Sequence, residues 1–418
     1  MPLDASLVRS QFPALSRPTI FLDNPGGTQI ARQSLEKLKS YLIECNANHG
    51  GAFPTSVESD GRVEAARAAM ADFLNASRSE EIVFGPNMTT LTYNISRALG
   101  REFRSGDTLV VTRLDHDANI SPWLQIAEDR GCKVRWVDFH PEDGTLDLED
   151  LAKALEERPR LLAVGYASNA LGTINPMKKI ISLAHAAGAW VYVDAVQYAP
   201  HGPIDVKELD CDFLVCSAYK FFGPHLGILY GKYALLESLA AYRVRPAPPE
   251  PPHKFETGTG SFEAVCGLHG ALDYFEWLGK TLAGEFGEIF WGAFQGRRLI
   301  YKQALAAIQA YEVELNRAML EVLQSTPGLK VYGLTDMRKL DQRVPTFSFT
   351  LEGWTPLEAA KHLAEARINV WDGNFYAPAV TERLGLEDKG GLVRVGATHY
   401  NTLDEVNWLQ LALRALAG

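Results

Sequence analysis

The sequence lacks an excess of positive charge and lacks any long apolar segment, and each absence excludes a class of protein. Its 418 residues include 41 Lys and Arg against 51 Asp and Glu, for a formal net charge of -10. Because the basic residues form no stripe or aromatic-interleaved patch, the chain has no electrostatic footprint for DNA or RNA. No apolar run approaches the roughly 18 residues of a membrane span. The start, "MPLDASLVRSQFPALS", lacks the apolar core of a secretory signal, so we expect a cytoplasmic protein.

Cysteines are few, and their spacing excludes two further classes of site. The chain has five of them, with no CxxC pair, which argues against a disulfide framework and against a zinc site. We expect most of them to be small buried hydrophobic side chains. Cys45, in the glycine-rich segment "ECNANHGGAF", is the one candidate for a reactive thiol near a site.

Apolar side chains are plentiful, at 46% of the residues, which is ample for a large core. From about residue 80 to residue 230, short apolar runs alternate with helical patterns, as in a mainly parallel sheet with helices on both faces. The sequence therefore predicts an α/β fold whose ligands bind at the carboxyl ends of the strands. The predicted strands are "EIVFG", "TLVVTRL", "KVRWVDF", "RLLAVGYAS", "WVYVDAV" and "DFLVCSA".

The second half of the chain predicts a smaller unit. Residues 243–260, "RVRPAPPEPPHKFETGTG", are rich in proline and should form an extended, semi-rigid surface excursion. After a long helical region, strand and helix patterns follow from "GLKVYGL" to "TLDEVNWLQLALRALAG". We therefore expect a large α/β domain over residues 21–290 and a small α+β domain over residues 1–20 and 291–418.

A lysine stands where the chain enters the interior, in "DFLVCSAYKFFGPHLG" (residues 212–227). A buried ammonium is costly, whereas an amine condensed with an aldehyde as a Schiff base suits Lys220, and pyridoxal phosphate is such an aldehyde. Its ring nitrogen needs a carboxylate, and Asp194 ends the predicted strand "WVYVD". Alone, Lys220 could be a salt-bridged lysine and Asp194 a turn former or helix cap. Because each follows a neighbouring parallel strand, we expect both at one edge of the sheet.

The cofactor's phosphate needs several hydrogen-bond donors. The first turn of a helix provides them through free N–H groups and the helix dipole. Thr89 and Thr90 open a predicted helix directly after a strand, and Ser217 and Tyr219 lie close to Lys220. Hydroxyl groups at helix starts are usually caps. Four of them at one predicted sheet edge nevertheless favour a phosphate site.

Three further residues are candidates for the same site. His116, in "RLDHDANISPW", could stack on the pyridine ring and move protons, or could be a structural histidine between two aspartates. Asn169 ends another predicted strand and could bond the cofactor's phenolic oxygen. Arg394 lies mid-strand in the small domain, where an internal ion pair or a substrate carboxylate would compensate its guanidinium.

Together these residues resemble the class V (fold type I) pyridoxal-phosphate aminotransferases, and among them the cysteine desulfurase branch. The resemblance implies fold type I of the PLP-dependent transferases, with a mainly parallel seven-stranded sheet, pyridoxal 5'-phosphate as cofactor, an amino acid as substrate, and a homodimer with shared active sites. The matching motifs are "FLDNPGGTQ", "MTTLTYN", "DHDANISPW", "SNALGTINP", "VDAVQ", "DCDFLVCSAYKFFGPHLGILYG", "FETGTGSF" and "VRVGATHYNTLDEV".

The resemblance also implies a role for each residue. Thr259 in "TGTG" would reach the phosphate of the neighbouring subunit. On the substrate side, Arg394 would take the α-carboxylate, with Asn24 and Tyr376 nearby. The residues that would hold the cofactor are Lys220 as the Schiff base, Asp194 at the pyridine nitrogen, His116 over the ring, Gln197 and Asn169 near the phenolic oxygen, and Thr89, Thr90, Ser217 and Tyr219 at the phosphate.

Two departures from the family pattern matter. The family usually has a histidine directly before the lysine, whereas Tyr219 brings no positive charge, so we expect somewhat weaker cofactor binding. Desulfurases carry a sulfur-accepting cysteine on a loop of the small domain. The corresponding stretch, "INVWDGNFYAPAV", has Trp371 at an arginine position and Tyr376 at the cysteine position. We therefore expect no persulfide-forming thiolate there.

Three hypotheses for the reaction follow. The first is a desulfurase-like lyase that cleaves a carbon–sulfur or other β-bond of an amino acid without a protein persulfide. In it, Trp371, Phe375 and Tyr376 would line a pocket for a substrate bulkier than cysteine. The second is an aminotransferase or an amino-acid epimerase. The third is a protein that binds pyridoxal phosphate without turnover. The sequence does not identify the amino acid or any sulfur-acceptor partner.

Overall fold

The strands of the computed structural model, which describes residues 3–417, form a large sheet, a small sheet and a two-stranded pair. Most strands of the large sheet are short runs of β-branched, aromatic and other apolar residues, a composition typical of a buried sheet. The strands are β1 (Ile20–Phe21), β2 (Ile82–Gly85), β3 (Thr108–Thr112), β4 (Lys133–Val137), β5 (Leu161–Gly165), β6 (Trp190–Asp194), β7 (Phe213–Ser217), β8 (Gly227–Gly231), β9 (Leu329–Tyr332), β10 (Thr346–Leu351), β11 (Ile368–Asn369), β12 (Trp371–Gly373) and β13 (Leu392–Gly396).

The helices begin and end at recognisable signals. For example, the Asp147 side chain caps the helix that follows it, and Gly131, at φ +67°, ends the helix that precedes it. No helix within residues 3–417 is both long enough and apolar enough to cross a membrane. The helices are α1 (Ala5–Arg9), α2 (Arg32–Glu44), α3 (Pro54–Leu74), α4 (Met88–Gly100), α5 (Ser121–Arg130), α6 (Leu148–Glu156), α7 (Met177–Ala186), α8 (Val206–Leu209), α9 (Tyr233–Ser238), α10 (Phe262–Leu282), α11 (Gly296–Ser325), α12 (Pro356–Glu365), α13 (Pro378–Arg383) and α14 (Leu403–Ala417).

The large sheet has the strand order β2-β8-β7-β6-β5-β3-β4. The strands β3 to β7 run parallel, and β8 is antiparallel to both of its neighbours. This confirms the predicted α/β fold with a mainly parallel seven-stranded sheet. The strand β8 was not among the predicted strands, because a five-residue run bounded by glycines gives little periodicity.

Both faces of the large sheet are buried. In β6, Tyr192 packs into one apolar cluster, whereas Val191 and Val193 pack into the other. The same alternation holds in β5, where successive side chains point to opposite faces. Because both faces are covered, polar side chains of these strands gather at the strand ends, which is where a site can form.

The small sheet is antiparallel, with the order β12-β13-β10-β9. Near the N-terminus, β1 pairs with β11. These elements agree with the predicted α+β character of the second unit, while the domain boundaries stay a prediction. Three residues of the predicted small domain, 1, 2 and 418, lie outside the described residues.

The proline-rich excursion is only partly as predicted. Its first half and residues 257–260 are exposed, but the expectation is wrong for residues 251–256, which pack against α3 and β2. There the Glu256 carboxylate accepts hydrogen bonds from Arg67 Nη1 at 2.7 Å and from Phe84 N at 2.8 Å. Proline and aromatic side chains supply enough apolar surface to bury this part of the segment. The buried residues are Pro251, Pro252, Lys254 and Phe255.

Replacing Glu256 with alanine should destabilise the protein by about 3 kcal/mol, because it removes the inner partner of a buried guanidinium. Arg67 is 2% exposed and Glu256 20% exposed. Chemical denaturation followed by circular dichroism measures the change in unfolding free energy. A matched control is Glu64→Ala, since Glu64 also contacts Arg67, at 3.2 Å, but is 54% exposed. That control should cost less than about 1 kcal/mol. Equal losses for the two variants would contradict the prediction.

Candidate active site

A pocket opens at the carboxyl ends of β3, β5, β6 and β7, beside the first turn of α4. Its space is about 570 Å³, including the part open to solvent. Arg394 lies next to it, whereas Thr90, Asn24 and Thr259 do not line it. The sequence-predicted residues that line the pocket are Thr89, His116, Asn169, Asp194, Gln197, Ser217, Tyr219 and Lys220.

Lys220 ends a single 3₁₀ turn, Ala218–Lys220, that follows β7. Its ammonium donates a hydrogen bond to Pro25 O. Burial, helped by the positive charge of Arg394 and partly opposed by Asp194, lowers its pKa to about 7. An amine with this pKa is partly neutral at physiological pH, and the neutral amine is the form that attacks a carbonyl group.

Asp194 ends β6, the strand beside β7, so its carboxylate and Lys220 share one edge of the sheet. Oδ1 accepts a hydrogen bond from Val196 N at 2.9 Å. Burial raises the Asp194 pKa to about 6, while the same backbone hydrogen bond and Lys220 favour the ionised form. At neutral pH Asp194 is therefore a buried carboxylate anion, which suits a ligand that donates an N–H to it.

Asp115, directly before His116, is a pocket residue that the sequence analysis missed. Its buried carboxyl accepts hydrogen bonds from Gly165 N at 2.7 Å and from Asn119 Nδ2 at 3.0 Å. Burial and the nearby Asp194 raise its pKa to about 8. A Cβ on Gly165 would lie 2.6 Å from Asp115 Oδ1, so this contact requires glycine. The signal available was an acidic residue three positions after the fully buried strand β3.

His116 is held as a neutral imidazole. Its Nδ1 accepts a hydrogen bond from Ala118 N at 3.0 Å, which leaves the ring proton on Nε2. Burial, helped by the charges of Lys220 and Arg394, lowers its pKa to about 4. The ring lies nearly parallel to that of Tyr376, with 5.6 Å between centroids. A flat aromatic ligand in the pocket would meet a similar stacking surface.

The phosphate end is built around the start of α4. The Asn87 side chain caps this helix by accepting a hydrogen bond from Thr90 N at 2.8 Å, and Thr89 lines the pocket. Tyr219 stacks on His225 with 4.8 Å between ring centroids. His225 is a second residue that the sequence analysis missed, because it lies five positions after the lysine, beyond a Gly-Pro pair. The imidazole of His225 therefore stacks on Tyr219, the residue that stands where the family usually has a histidine.

Buried polar atoms without partners test whether a phosphorylated pyridine fits this pocket. Among the described residues, Asn169 Oδ1, Gln197 Oε1 and Arg394 Nε are buried and have no hydrogen-bond partner. Such atoms are costly unless a ligand satisfies them. With a helix start, a buried carboxylate and a lysine of lowered pKa around them, they fit the predicted cofactor and a carboxylate beside it.

The wall on the small-domain side is aromatic. Arg394, on β13, donates from Nη1 to Asn169 O at 2.8 Å and lies 4.2 Å from the centroid of the Phe375 ring. Phe375 and Tyr376 have φ values of +56° and +57°. Two hydrogen bonds fix this turn, from Asn169 Nδ2 to Phe375 O at 2.8 Å and from Asp117 N to Tyr376 O at 2.7 Å. The turn is therefore fixed beside the site, although Tyr376 is 75% exposed and neither ring is among the residues that line the pocket.

Other candidates lie apart from the pocket. Asn24 is buried, and its Nδ2 donates to Phe21 O and Gly396 O, both at 2.8 Å, so its side chain supports the chain around it. Thr259 is exposed in the proline-rich segment. The substrate role of Asn24 and the phosphate role of Thr259 stay predictions. Cys45 is 0% exposed and packs on Tyr41 and Cys266, so the suggestion of a reactive thiol there is wrong. Burial raises its pKa.

Known proteins share this architecture. The family model "Aminotransferase class-V" matches residues 20–283 and 292–409. The chain is 37% identical to the aminotransferase-like protein FGM3 of Gibberella zeae, over 97% of this chain and 96% of that one. It is 32% identical to a cysteine desulfurase of Pectobacterium atrosepticum, over 98% and 97% of the two chains. A solved cysteine desulfurase from Thermococcus onnurineus superposes with a TM-score of 0.87 at 27% identity, covering 100% of this chain and 98% of that one.

Proposed function

The chain belongs to the class V aminotransferase family, whose members use pyridoxal 5'-phosphate, and from this premise we propose that it cleaves a β-bond of an amino acid without a protein persulfide. One observation supports this most: Tyr376 stacks on His116 at the pocket, and none of the described cysteines lines the pocket. A carbon–sulfur bond is the leading candidate for the bond that breaks. The substituent would then leave directly.

The residues of the pocket divide this work. When bound, pyridoxal phosphate supplies an aldehyde for the substrate amine and a ring that stabilises negative charge at the α-carbon. Arg394 would bind the α-carboxylate, since burial lowers its pKa only to about 9 and it keeps its charge. Lys220 would take the α-proton, because its amine is neutral for part of the time at pH 7. The Nε2–H of His116 could donate to the leaving substituent.

The aromatic wall would select the substituent. Phe375 and Tyr376 are fixed by hydrogen bonds to Asn169 and Asp117, so they offer flat apolar surface without loop ordering at binding. Trp371, whose Nε1 donates to Asp23 O at 3.1 Å, lies beside Gly26 near the same wall. We expect an aromatic or otherwise bulky substituent to bind better than the thiol of cysteine.

A second candidate is amino-group transfer, or epimerisation of an amino acid. It is favoured by the 37% identical relative, which is described as aminotransferase-like. All three outcomes would use the same lysine, carboxylate and arginine. In a lyase the β-substituent would leave, in an epimerase the α-carbon would be reprotonated on its other face, and in a transaminase the proton would go to the cofactor carbon.

Product analysis with the holoenzyme separates these outcomes. L-cysteine, S-phenyl-L-cysteine and L-alanine are incubated with the enzyme, and the products and the cofactor spectrum are followed. Release of thiophenol with pyruvate supports the proposal, whereas conversion of the cofactor to its amine form indicates transamination, and loss of optical rotation indicates epimerisation. An unchanged spectrum with every amino acid indicates a binder. Prior alkylation with iodoacetamide should leave lyase turnover unchanged, and loss of turnover would indicate a cysteine persulfide.

The lowered pKa of Lys220 predicts the pH dependence of cofactor capture. Only the neutral amine reacts, so the capture rate should rise with pH through about 7 and level off above it. A lysine at its ordinary value of 10.5 would instead give a rate that still rises at pH 9 to 10. Stopped-flow absorbance on cofactor-free protein measures the rate. In Arg394→Gln the midpoint should move up, because one positive neighbour is gone; an unmoved midpoint would contradict this assignment.

We also propose a homodimer with shared sites. Thr259 is exposed, as expected of a residue that serves a neighbouring subunit. Its segment packs on the loop after α2 through His253, whose ring stacks on that of His49 with 6.1 Å between centroids. Near this loop, Ile43 is 71% exposed and Val57 is 61% exposed, and apolar side chains exposed to that degree suit an interface.

Replacing Ile43 with glutamate should convert the dimer to a monomer, because it places a charge in a desolvated contact. Sedimentation velocity gives the mass, and circular dichroism checks the fold. The matched control is Leu411→Glu, since Leu411 is 57% exposed on α14 and away from this loop. The control should remain dimeric. A wild-type monomer, or a dimer that survives Ile43→Glu, would contradict the proposed interface.

A further inference from the structure

A second cleft lies apart from the active-site pocket and shares no lining residue with it. It runs between the start of α7, the first half of α11 and the segment that precedes α11. Its space is about 1630 Å³, including the part open to solvent, against about 570 Å³ for the active-site pocket. A cleft of this size accommodates a small molecule.

One wall of the cleft comes from a segment outside the family match. The family model leaves out residues 284–291, which include the 3₁₀ turns Gly284–Phe290. Phe290 and, just after this stretch, Phe294 line the cleft. Both rings are partly exposed, although they could have packed fully into a core. Phe290 therefore lies outside the matched residues and Phe294 just inside them, and both present aromatic surface to the cleft.

The cleft also holds a buried cation with no anion beside it. Lys302 is 1% exposed, and among the described residues its ammonium forms no salt bridge, although Asp205 acts on it at longer range. Nζ donates to Phe73 O at 3.2 Å and to Ile204 O, which occupies two of its three protons. It lies 5.6 Å from the centroid of the Phe294 ring. An anion bound in the cleft would accept the third N–H of this ammonium and balance its charge.

Two carboxylates of the cleft already have other partners. Asp205 Oδ1 accepts hydrogen bonds from Asn75 Nδ2 at 2.8 Å and from the two backbone N–H groups that open α8. Glu208 pairs with Lys178 at 2.5 Å, and both are exposed. Asp205 and Glu208 favour the charged form of Lys302 from a distance, but neither forms a salt bridge with its ammonium.

A second buried polar atom lies on the opposite wall. Asn175 is 3% exposed, and its Nδ2 donates to Gly165 O at 2.8 Å. Its Oδ1 has no hydrogen-bond partner among the described residues. Beside it, Tyr166 and Tyr198 stack with 3.8 Å between centroids, and both line the cleft. Because Gly165 lines the active-site pocket, its hydrogen bond with Asn175 connects the walls of the two cavities.

We propose that this cleft is a second ligand site, for an aromatic molecule that carries a carboxylate, with the carboxylate on Lys302 and the ring against Phe290 and Phe294. The proposal does not depend on the reaction that the active site performs. It accounts for the ammonium that has no salt-bridge partner and for the two partly exposed rings of Phe290 and Phe294.

Calorimetric titration of the holoenzyme with phenylacetate, and with uncharged phenylacetamide, tests this proposal. We expect saturable phenylacetate binding at one site per chain. Lys302→Met should weaken phenylacetate about tenfold or more and leave phenylacetamide unchanged. Phe294→Ala should weaken both. Arg394→Gln should change neither, since Arg394 belongs to the other pocket.

Three results would overturn the second site: no saturable binding at millimolar concentration, equal phenylacetate affinity in Lys302→Met and wild type, or binding lost in Arg394→Gln and kept in Lys302→Met. The last would place the probe in the active site. If Lys302→Met fails to fold, Phe294→Ala decides alone, because its ring is partly exposed and its loss leaves no buried charge unpaired. Unchanged affinity in Phe294→Ala would then reject the proposal.

Discussion

Lys220→Ala should lose turnover by at least about 10³-fold and lose the covalent link to the cofactor, because no other amine in the pocket can replace it. Lys220 lies at the pocket edge shared with Asp194, and burial lowers its pKa to about 7. The measurements are the visible absorbance of the bound cofactor, the mass of the chain after borohydride reduction, and kcat with the best amino acid of the product screen.

A second buried lysine provides the matched control for this experiment. Lys302 is also buried, and burial lowers its pKa to about 8, but it lies in the separate cleft. Lys302→Met should therefore keep the visible band and the borohydride-stable link. The assignment of Lys220 would be wrong if Lys220→Ala still carried the cofactor covalently after reduction, or if the link moved to Lys302.

The main features of the fold were predictable because they are local. Alternating short apolar runs and helical periods predicted the α/β sheet, and the rule that ligands bind at the carboxyl ends of parallel strands placed Asp194 and Lys220 at one edge. The strand β8 was missed since its run is short and its direction is set by the sheet, not by its own sequence.

The parts that were missed depend on contacts between distant residues. Cys45 looked accessible in a glycine-rich stretch, yet it packs on Cys266, more than 200 positions away. The place of Asp115 in the pocket follows from its hydrogen bond to Gly165, which lies at the end of β5. The burial of Glu256 depends on Arg67. No local period encodes such pairs, so residue type and spacing alone could not supply them.

Asp194→Asn should lower kcat by about 10²–10³-fold while the cofactor stays bound, which is the scale of removing one electrostatic contact to charge that develops in the transition state. The carboxylate would hold a proton on the pyridine nitrogen, and a neutral amide cannot do so. The amide oxygen can still accept the hydrogen bond from Val196 N, so the local structure should persist. Steady-state kinetics, with cofactor content from absorbance, measures the loss.

Asp115→Asn is the matched control, because a neighbouring buried carboxyl is changed in the same way. Its pKa is raised to about 8, so Asp115 is mostly neutral at pH 7, and an amide there alters the charge of the site little. We expect a loss of less than about tenfold. In Asp194→Asn the pH midpoint of cofactor capture should also move below 7, since Asp194 raises the pKa of Lys220. Equal losses in the two variants, or an upward move of that midpoint, would show that Asp194 does not act as the charged partner of the ring.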